Sequence, residues 1–467
     1  MRGPRGRRAP VSIIGENTRT ASPITEEPGR WLHGYDPEDS LQWQETGRTI
    51  ARRNLNWSIF CEFLGFVVWQ LWAATVTFLP RVGFQLTDGQ LFWLISMPAL
   101  VGATLRIPYT FAVARFGGRN WTVCSALLLL IPVVGLALVA GNPQTPFWVL
   151  LLVAATAGFG GGNFASSMAN ITYFYPATEK GWALGLNAAG GNLGAAVAQL
   201  VVPLAVTIGA GATLRLPLAG WVWVPLILIA AWGARRHMHN LASARGDLAG
   251  ALASMREPHF WVMAVLYIGT FGSFIGFSGV FPKLIADTFP AFSTFKVGAA
   301  ALSLSFLGPL VGSLSRPWGG RLADRVGGAR VTVLAFAAMA ILALGVVVTL
   351  PMRNFWVFLF LFLGLFVASG VGNGSTYRMI PSIYRVRAID STAGISTERR
   401  AAAALGLISA VGAYGGFFVP QVLSLSKSST QAYDSAFYGF VACYVLAMAL
   451  TAVCYLRPGS AMARARV

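Results

Sequence analysis

The sequence predicts an all-α polytopic membrane protein with twelve helices in two pseudo-symmetric six-helix halves. Of its 467 residues, 55% are hydrophobic and 11% are charged, whereas soluble domains carry about a quarter charged residues. Apolar segments long enough to span a bilayer recur along the chain. An internal duplication then relates the first half of the chain to the second.

The apolar segments measure roughly 18 to 25 residues, the length that crosses about 30 Å of hydrocarbon. Basic residues concentrate in alternate connections, and the remaining connections are nearly free of them. The positive-inside rule therefore predicts that both termini are cytoplasmic. The spans are expected to begin near Trp57, Leu91, Trp121, Phe147, Gly181, Trp221, Phe260, Val297, Val331, Phe355, Arg400 and Ser435.

Five regions follow from these spans. We expect a cytoplasmic N-terminal tail over residues 1–56, a first six-helix half over 57–234 and a cytoplasmic linker over 235–257. The second half is expected over 258–457 and a short cytoplasmic tail over 458–467. The end of the N-terminal tail, with Trp43 and Trp57 flanking Arg48, Arg52 and Arg53, is predicted to form an amphipathic interfacial segment.

The duplication is visible in arginine spacing. Arg106 precedes Arg115 by nine residues, and Arg316 precedes Arg325 by nine, with an offset of 210 residues between the pairs. Preserved order and spacing are typical of a parallel-repeat transporter. The same offset pairs Asn163 with Asn373, and an offset of 221 residues pairs Gly185 with Gly406.

Composition argues against other classes of protein. The net charge of +18 comes from basic residues at the ends of apolar runs, which does not resemble a nucleic-acid-binding face. No cofactor or metal site is predicted, because the cysteines lie inside apolar runs, the histidines lie outside or at the edge of spans, and the glycine runs follow no strand. The protein is therefore not expected to be an enzyme. These residues are Cys61, Cys124, Cys443, Cys454, His33, His237, His239 and His259.

Arg106 and Arg316 lie deep within apolar spans. A centred arginine costs about 2.5 to 3.5 kcal/mol, so a buried one indicates a functional site. Because the repeat relates the two, we expect them to meet near the midplane between the halves. A guanidinium group donates two parallel hydrogen bonds, which suits a small planar oxyanion. The alternative is that each arginine snorkels or binds helix carbonyl groups.

Glycines and aromatic residues surround the predicted site. Small faces on the fifth and eleventh helices are expected to let these gate helices move against the opposite half, although tight packing alone is an alternative for each glycine. Three aromatic residues are candidates to wall the site, with ordinary core packing as the alternative. The glycines are Gly185, Gly191, Gly194, Gly406 and Gly412, and the aromatic residues are Phe164, Tyr267 and Phe271.

The connection GGRLADRVGGAR, from Gly319 to Arg330, resembles the loop motif of the major facilitator superfamily. Its Asp324 and the nearby arginines are expected to clamp helix ends on the cytoplasmic side. A solvated basic loop that obeys topology alone is the alternative. Ala114 occupies the corresponding place in the first half, so no clamp is expected there.

Four stretches together resemble the nitrate/nitrite porter family of that superfamily. They read GGGNFASSMANITYFYP, ALGLNAAGGNLG, LYIGTFGSFIGFSGVF and AAAALGLISAVGAYGGFFVPQ, and the likeness extends from about Pro37 onward. The resemblance implies the twelve-helix major facilitator fold and transport of nitrate and nitrite by alternating access, by a monomer in the inner (plasma) membrane. It also implies that Arg106 and Arg316 bind the anion, that Phe164 and Phe271 sandwich it, that Asn192 and Tyr267 donate hydrogen bonds, and that Gly406 and Ser409 lie beside it.

The mode of coupling depends on Glu62. Moving an anion inward against a negative potential costs about 2.3 kcal/mol per 100 mV, so a carrier must exchange anions or bring protons. Glu62 is an acidic residue inside the predicted first span, and it resembles the first helix of the family's proton-linked branch. The sequence favours proton-coupled nitrate uptake, with nitrate/nitrite antiport as the alternative. A structural role, in which Glu62 reaches cytoplasmic water or pairs with Arg378, is a third interpretation. A channel is harder to exclude from the sequence, but two homologous halves with a buried charged pair favour a carrier.

Overall fold

A computed structural model describes residues 23–209, 213–244, 248–388 and 397–467. Twelve long helical segments in these residues confirm the predicted fold of two six-helix halves. Ten of them are long and apolar enough to cross a membrane by composition alone. The segments are α1 (Arg48–Trp69, continued by Leu71–Thr75), α2 (Asp88–Phe116), α3 (Gly118–Val139), α4 (Phe147–Phe174), α5 (Ala177–Thr207), α6 (Leu218–His237), α7 (Pro258–Thr288), α8 (Leu307–Val326), α9 (Gly328–Thr349), α10 (Phe355–Ala388), α11 (Thr397–Ala413 with Gly415–Thr430) and α12 (Asp434–Tyr455).

The two helices that fail the apolar criterion, α1 and α8, carry charged residues of the core. Glu62 on α1 is 1% exposed and Arg316 on α8 is 6% exposed. Burial against other helices lets these charged residues sit at membrane depth, because they do not face lipid. The low hydropathy of α1 and α8 therefore marks the interior of the protein.

Two predicted helix starts are wrong. The helix α1 begins at Arg48 rather than near Trp57. The eighth helix does not begin near Val297, because the chain there forms a β-hairpin of β4 (Phe295–Val297) and β5 (Ala300–Leu302). Gly298 adopts a φ of 58° at the turn, a left-handed conformation that glycine accommodates without a Cβ clash. The helix α8 starts only after this hairpin.

The predicted interfacial segment packs against protein. The Trp43 ring is 8% exposed and meets Tyr175 edge to face at 5.6 Å, and its Nε1 donates a hydrogen bond to Glu179. The segment therefore continues into α1 and covers the connection between α4 and α5.

The described residues before α1 form a small cap on the side of the molecule that carries the C-terminal residues 457–467, called here the basic side. Strands β1 (Thr25–Glu27) and β2 (Trp31–His33) pair antiparallel, and β3 (Asn240–Leu241) pairs parallel to β2. The chain after α6 is thereby tied to the chain before α1. These two segments flank the first six-helix half.

His239 anchors this cap. It is 3% exposed, and Asn54 on α1 accepts a hydrogen bond from its backbone N–H at 2.8 Å. Burial, followed by the charges of Arg30, Arg53 and Arg119, lowers the pKa of His239 to about 4. The imidazole is therefore neutral at ordinary pH.

The face opposite the basic side is closed by an ion-pair cluster that joins the halves, called here the seal. Asp88 at the start of α2 accepts from Lys283 of α7 at 2.7 Å and lies 2.8 Å from Lys427 of α11. Asp287 accepts from both lysines, at 3.0 and 2.7 Å, and from the hydroxyl of Tyr433. Three helices from two halves are pinned together there.

Candidate functional site

Arg106 lies on α2 at the centre of the molecule with no exposed surface. Its Nε donates to the carbonyl of Gly161 on α4 and its Nη1 donates to the carbonyl of Ser409 on α11, both at 3.0 Å. The second terminal nitrogen, Nη2, is buried without a partner. The guanidinium is thus held by both halves and keeps unused N–H donors.

Arg316 lies on α8 and faces the same place. Its guanidinium carbon lies 5.9 Å from the centre of the Phe164 ring, and that of Arg106 lies 4.5 Å from the same ring. Nη1 of Arg316 is buried and has no hydrogen-bond partner. The repeat-related arginines therefore share one aromatic neighbour at the boundary between the halves.

Aromatic rings form the walls of this region. Phe164 and Phe271 are 6.3 Å apart with an interplanar angle of 26°, and Tyr267 stacks on Phe271 at 5.3 Å. Phe271 lies in the π-helical turn Ile268–Gly272 of α7, a kind of irregularity that is frequent at functional sites. The rings attract the guanidinium groups through cation–π contacts.

Two residues that line the site, Trp69 and Tyr377, were not predicted from the sequence. The Trp69 ring lies 5.2 Å from the guanidinium of Arg106, and the Tyr377 ring lies 5.2 Å from that of Arg316. Trp69 also donates to the Pro98 carbonyl at 2.8 Å. A signal for Tyr377 was available, because it lies one helical turn after Asn373, which the repeat pairs with Asn163.

Buried polar atoms without hydrogen-bond partners occur on helices of both halves, including those that carry the arginines. The hydroxyl of Tyr267 has no hydrogen-bond partner of standard geometry, although it lies close enough to Arg316 for an electrostatic interaction. Buried polar groups normally have partners, so such a set indicates a binding site. The unpaired groups of the described residues here are Arg106 Nη2, Arg316 Nη1, the hydroxyls of Tyr267 and Tyr377, and the side-chain amides of Asn163 and Asn192.

Asn192 and Ser409 take different positions. Asn192 shares a face of α5 with Gln199, which donates to the Ser278 carbonyl of the other half at 2.5 Å. That face therefore points toward the boundary between the halves. The hydroxyl of Ser409 donates to Gly406 of its own helix at 2.7 Å, so Ser409 contributes through its backbone carbonyl.

Glu62 lies inside the first half. Its Oε2 accepts hydrogen bonds from Asn187 Nδ2 at 2.7 Å and from the Ser167 hydroxyl, whereas its Oε1 has no partner. The proposed pairing with Arg378 is wrong, because Arg378 binds Asp324, and Glu62 is too buried to reach water. The Asp324–Arg378 pair joins the basic ends of α8 and α10, as a clamp would.

The predicted gating glycines differ in their surroundings. A Cβ at Gly191 would lie 2.4 Å from Glu62 Oε1, one at Gly194 would lie 2.2 Å from the Phe63 carbonyl, and one at Gly412 would lie 2.3 Å from the Tyr267 ring. These partners belong to the same half as each glycine, so the close approaches in this structure lie within the halves. Movement of these three glycines against the opposite half stays a prediction. Gly406 faces Thr110 of the other half at an ordinary 3.4 Å, and Gly185 faces open space.

The chain is similar to a known family and to named proteins. A profile described as Major Facilitator Superfamily matches residues 60–420. The chain is 41% identical over 451 residues to a protein named nitrate/nitrite transporter NarU of Escherichia coli (strain K12), covering 91% of this chain and 96% of the other. It is 36% identical to a probable nitrate/nitrite antiporter NarK2 of Thermus thermophilus, covering 92% and 98%.

A structural likeness supports the fold. The crystal structure of a D-xylose-proton symporter superposes with a TM-score of 0.63 and 15% sequence identity, covering 86% of this chain and 97% of that one. Identity at this level concerns the fold alone. The arrangement of twelve helices is therefore shared more widely than the site.

Proposed function

This chain belongs to the nitrate/nitrite porter family of the major facilitator superfamily, and on that premise we propose that it transports nitrate and nitrite by alternating access. The observation that carries the proposal is the pair of buried guanidinium groups, each with a free N–H donor beside the Phe164 ring. Two facing cations in a site closed to water are stable only with a negative partner. The partner proposed is the transported anion.

The site suits a small planar oxyanion. We propose that the unpartnered terminal nitrogens of Arg106 and Arg316 donate hydrogen bonds to its oxygens. Tyr267 and Asn192, whose polar atoms also lack partners, are proposed to donate further hydrogen bonds. The near-parallel rings of Phe164 and Phe271 favour a flat ligand over a tetrahedral one. Nitrate and nitrite, the substrates in the names of the relatives, fit these requirements.

The architecture favours a carrier over a channel. The seal joins the two halves at one face, and Arg106 binds carbonyl groups from both halves at the centre. Passage then requires the halves to rock about the site, as in other parallel-repeat transporters. Flux that saturates and is stimulated by anion on the far side would support this mechanism, and linear flux would contradict it.

Proton-coupled nitrate uptake is the proposed mode, with nitrate/nitrite antiport as the second candidate. Glu62 favours the first, because a buried carboxylate near the site supplies a group that can carry a proton. The name of the Thermus relative favours the second. In proteoliposomes, symport predicts nitrate accumulation into an empty lumen under an inward proton gradient, and antiport predicts a requirement for internal nitrite at every pH.

The remaining proposals concern placement. We propose that the protein acts as a monomer in the inner (plasma) membrane with both termini in the cytoplasm. Where the structure describes them, the arginine-rich connections lie on the basic side, which supports this orientation. Labelling of single cysteines introduced near residues 85 and 460 of intact cells would distinguish the two faces.

The anion site is tested directly by calorimetric nitrate titration of the purified protein. Arg106→Ala and Arg316→Ala are each expected to abolish measurable binding, because each removes a charge that the anion compensates. Arg215→Ala removes an exposed arginine from a distant loop and serves as the matched control. High-affinity nitrate binding in either site variant would refute the proposed site.

A further inference from the structure

We propose, building on the transport function above, that Glu62 is a resident counter-charge that takes the place of the substrate electrostatically when the site is empty. In this arrangement a proton on Glu62 and an anion on the arginines bind together and leave together. Ser167 and Asn187 are the positioning residues that hold the carboxylate for this role.

The first support is the internal repeat. Gly191 on α5 and Gly412 on α11 are paired by the 221-residue offset, and a Cβ at these positions would meet Glu62 and Tyr267 respectively. An offset of 205 residues relates α1 to α7, and it pairs Glu62 with Tyr267 and Trp69 with Phe274. The second of these pairs is confirmed by contacts, because a Cβ at Gly102 would meet Trp69 and one at the repeat-related Gly312 would meet Phe274.

The repeat thus places Glu62 where the second half has Tyr267, which lies against Arg316. Tyr267 contacts the anion site in the second half, and its counterpart in the first half is the carboxylate of Glu62. Both Arg106 and Arg316 lie within electrostatic range of Glu62. Glu62 is therefore built into the same charge cluster as the substrate.

The second support is the way the carboxylate is held. Asn187 and Ser167 both donate to Oε2, and the Ser167 hydroxyl is further bonded to Ser58 at 2.9 Å. Oε1 is buried beside Gly191 and has no partner. Two donors on one oxygen stabilise the ionised form, and the vacant oxygen provides the place for a proton when the acid is neutral.

The charged and titratable groups that act on Glu62 are few among the described residues. They are Arg106 on α2, Arg316 on α8 and Tyr377 on α10. The neighbouring α4 and α5 present the neutral Ser167 and Asn187. Besides burial and the two hydrogen bonds, the charges of the two arginines act on Glu62, so neutralising them with an anion changes its protonation.

Counting charges shows the consequence. With Glu62 ionised and no anion bound, the two arginines and Glu62 carry a single net positive charge. With a monovalent anion bound and Glu62 protonated, the cluster again carries a single positive charge. The empty and loaded carriers are then electrostatically alike, so both can reorient. Without Glu62 the empty carrier would hold two uncompensated cations, whose burial is strongly unfavourable.

The chemistry is a simple acid–base exchange. A proton from water binds the Glu62 carboxylate to give the neutral acid, and the same proton returns to water on the other side of the membrane together with the anion. No bond other than O–H forms or breaks. A carrier with this carboxylate completes its cycle empty, and one that lacks it has to return loaded with a second anion.

The test compares two transport assays in proteoliposomes for wild type, Glu62→Gln and Glu45→Gln. Glu45 is an exposed carboxylate before α1, so its variant is the matched control. We expect Glu62→Gln to keep nitrate–nitrate exchange and to lose net uptake into a nitrate-free lumen under an inward proton gradient. Glu45→Gln should behave as wild type in both assays. Net uptake retained in Glu62→Gln would overturn the proposal.

The assays also separate this proposal from the transport function itself. Wild-type protein that exchanges nitrate but shows no proton-driven net uptake would overturn the role of Glu62 and leave nitrate transport intact. Wild-type protein that neither binds nor exchanges nitrate would refute the transport function.

Equilibrium binding gives a second, independent readout. Since the ionised carboxylate competes with the anion for the arginines, nitrate affinity should fall by up to about tenfold per pH unit as Glu62 loses its proton. The affinity of Glu62→Gln should be independent of pH over this range. An identical pH profile in wild type and Glu62→Gln would contradict the proposal.

The positioning residues are tested by the same titration. Ser167→Ala and Asn187→Leu each remove a donor from the carboxylate, so they should move the fall in affinity to higher pH. A purely structural role would lower the amount of folded protein without moving the profile. Ser167→Ala is the smaller change and keeps the test informative if Asn187→Leu does not fold.

Discussion

The two halves of the molecule use one framework for different polar groups. In the first half, Gly191 of α5 brings α1 close and a carboxylate, Glu62, fills the contact. In the second half, Gly412 of α11 lets α7 approach closely, and the phenol ring of Tyr267 occupies that contact. The backbone arrangement is duplicated and the chemistry is not. The comparison teaches that the repeat supplies geometry, and that function rests on the positions where the halves differ.

The paired arginines differ in the same way. Arg106 is anchored by carbonyl groups from α4 and α11, whereas the contacts of Arg316 are the rings of Phe164 and Tyr377 and the nearby Tyr267. Arg106 is therefore part of the structure that holds the halves together. Arg316 is the more available of the two for a ligand.

Replacing each arginine by lysine is expected to have the largest effect, and it tests the different roles assigned to Arg106 and Arg316. Either variant should lower nitrate affinity at least about 100-fold, because a point charge cannot reproduce the planar fork of donors. Arg106→Lys should also lower the melting temperature, since one ammonium cannot bond both carbonyl groups. Arg316→Lys should melt like wild type. Titration calorimetry and thermal melting in detergent measure the two effects, and equal melting shifts would contradict the assignment.

Alanine at the repeat-related glycines should have the next largest effect. Gly191→Ala and Gly412→Ala insert a methyl group within 2.4 Å of another atom, and such overpacking costs about 1–3 kcal/mol. We expect a lower melting temperature and slower transport for both. Gly185→Ala, which faces open space, is the control and should match or exceed wild-type stability. Full activity in Gly191→Ala would indicate that this contact opens during transport.

Removing the Tyr267 hydroxyl sharpens the comparison with Glu62. Tyr267→Phe should lower nitrate affinity about tenfold, the worth of a hydrogen bond to a charged group. The coupling ratio of protons to nitrate should remain that of wild type, because the phenol carries no charge in the cycle. Parallel measurement of binding and proton-driven uptake checks this. A variant that loses coupling while keeping affinity would reverse the roles assigned to the two halves.

The smallest effect is expected at the cap, whose strands have no counterpart on the basic side of the described residues of the second half. The folded pKa of His239, about 4, lies below its ordinary value of 6.5. The neutral imidazole therefore contributes stability that is fully present above pH 6.5 and is lost as the pH falls toward 4. Limited proteolysis near residues 23–39 should accelerate over this interval in wild type and not in His239→Gln. Cleavage independent of pH in both proteins would show that His239 does not hold the cap.

Much of this arrangement was predictable from the sequence. The cost of arginine in lipid and the 210-residue offset identified Arg106 and Arg316, and the apolar runs identified the spans. The backbone acceptors of Arg106 were not predictable, because a carbonyl group has no sequence signature. The hairpin at Gly298 was not predicted, because its short apolar strands resemble the start of an apolar helix. The true partners of Glu62 depend on how α1, α4 and α5 cross, which the linear chain does not encode directly.

The seal of Asp88, Lys283, Asp287 and Lys427 has a consequence for idle molecules. Its lysines and carboxylates must separate into water whenever that face opens, and partly buried ion pairs of this kind are screened weakly by salt. The transporter therefore rests with this face shut, whether its site is empty or loaded, until these ion pairs separate. The membrane stays tight to small ions during that wait, which protects the gradients that drive the cell's other carriers.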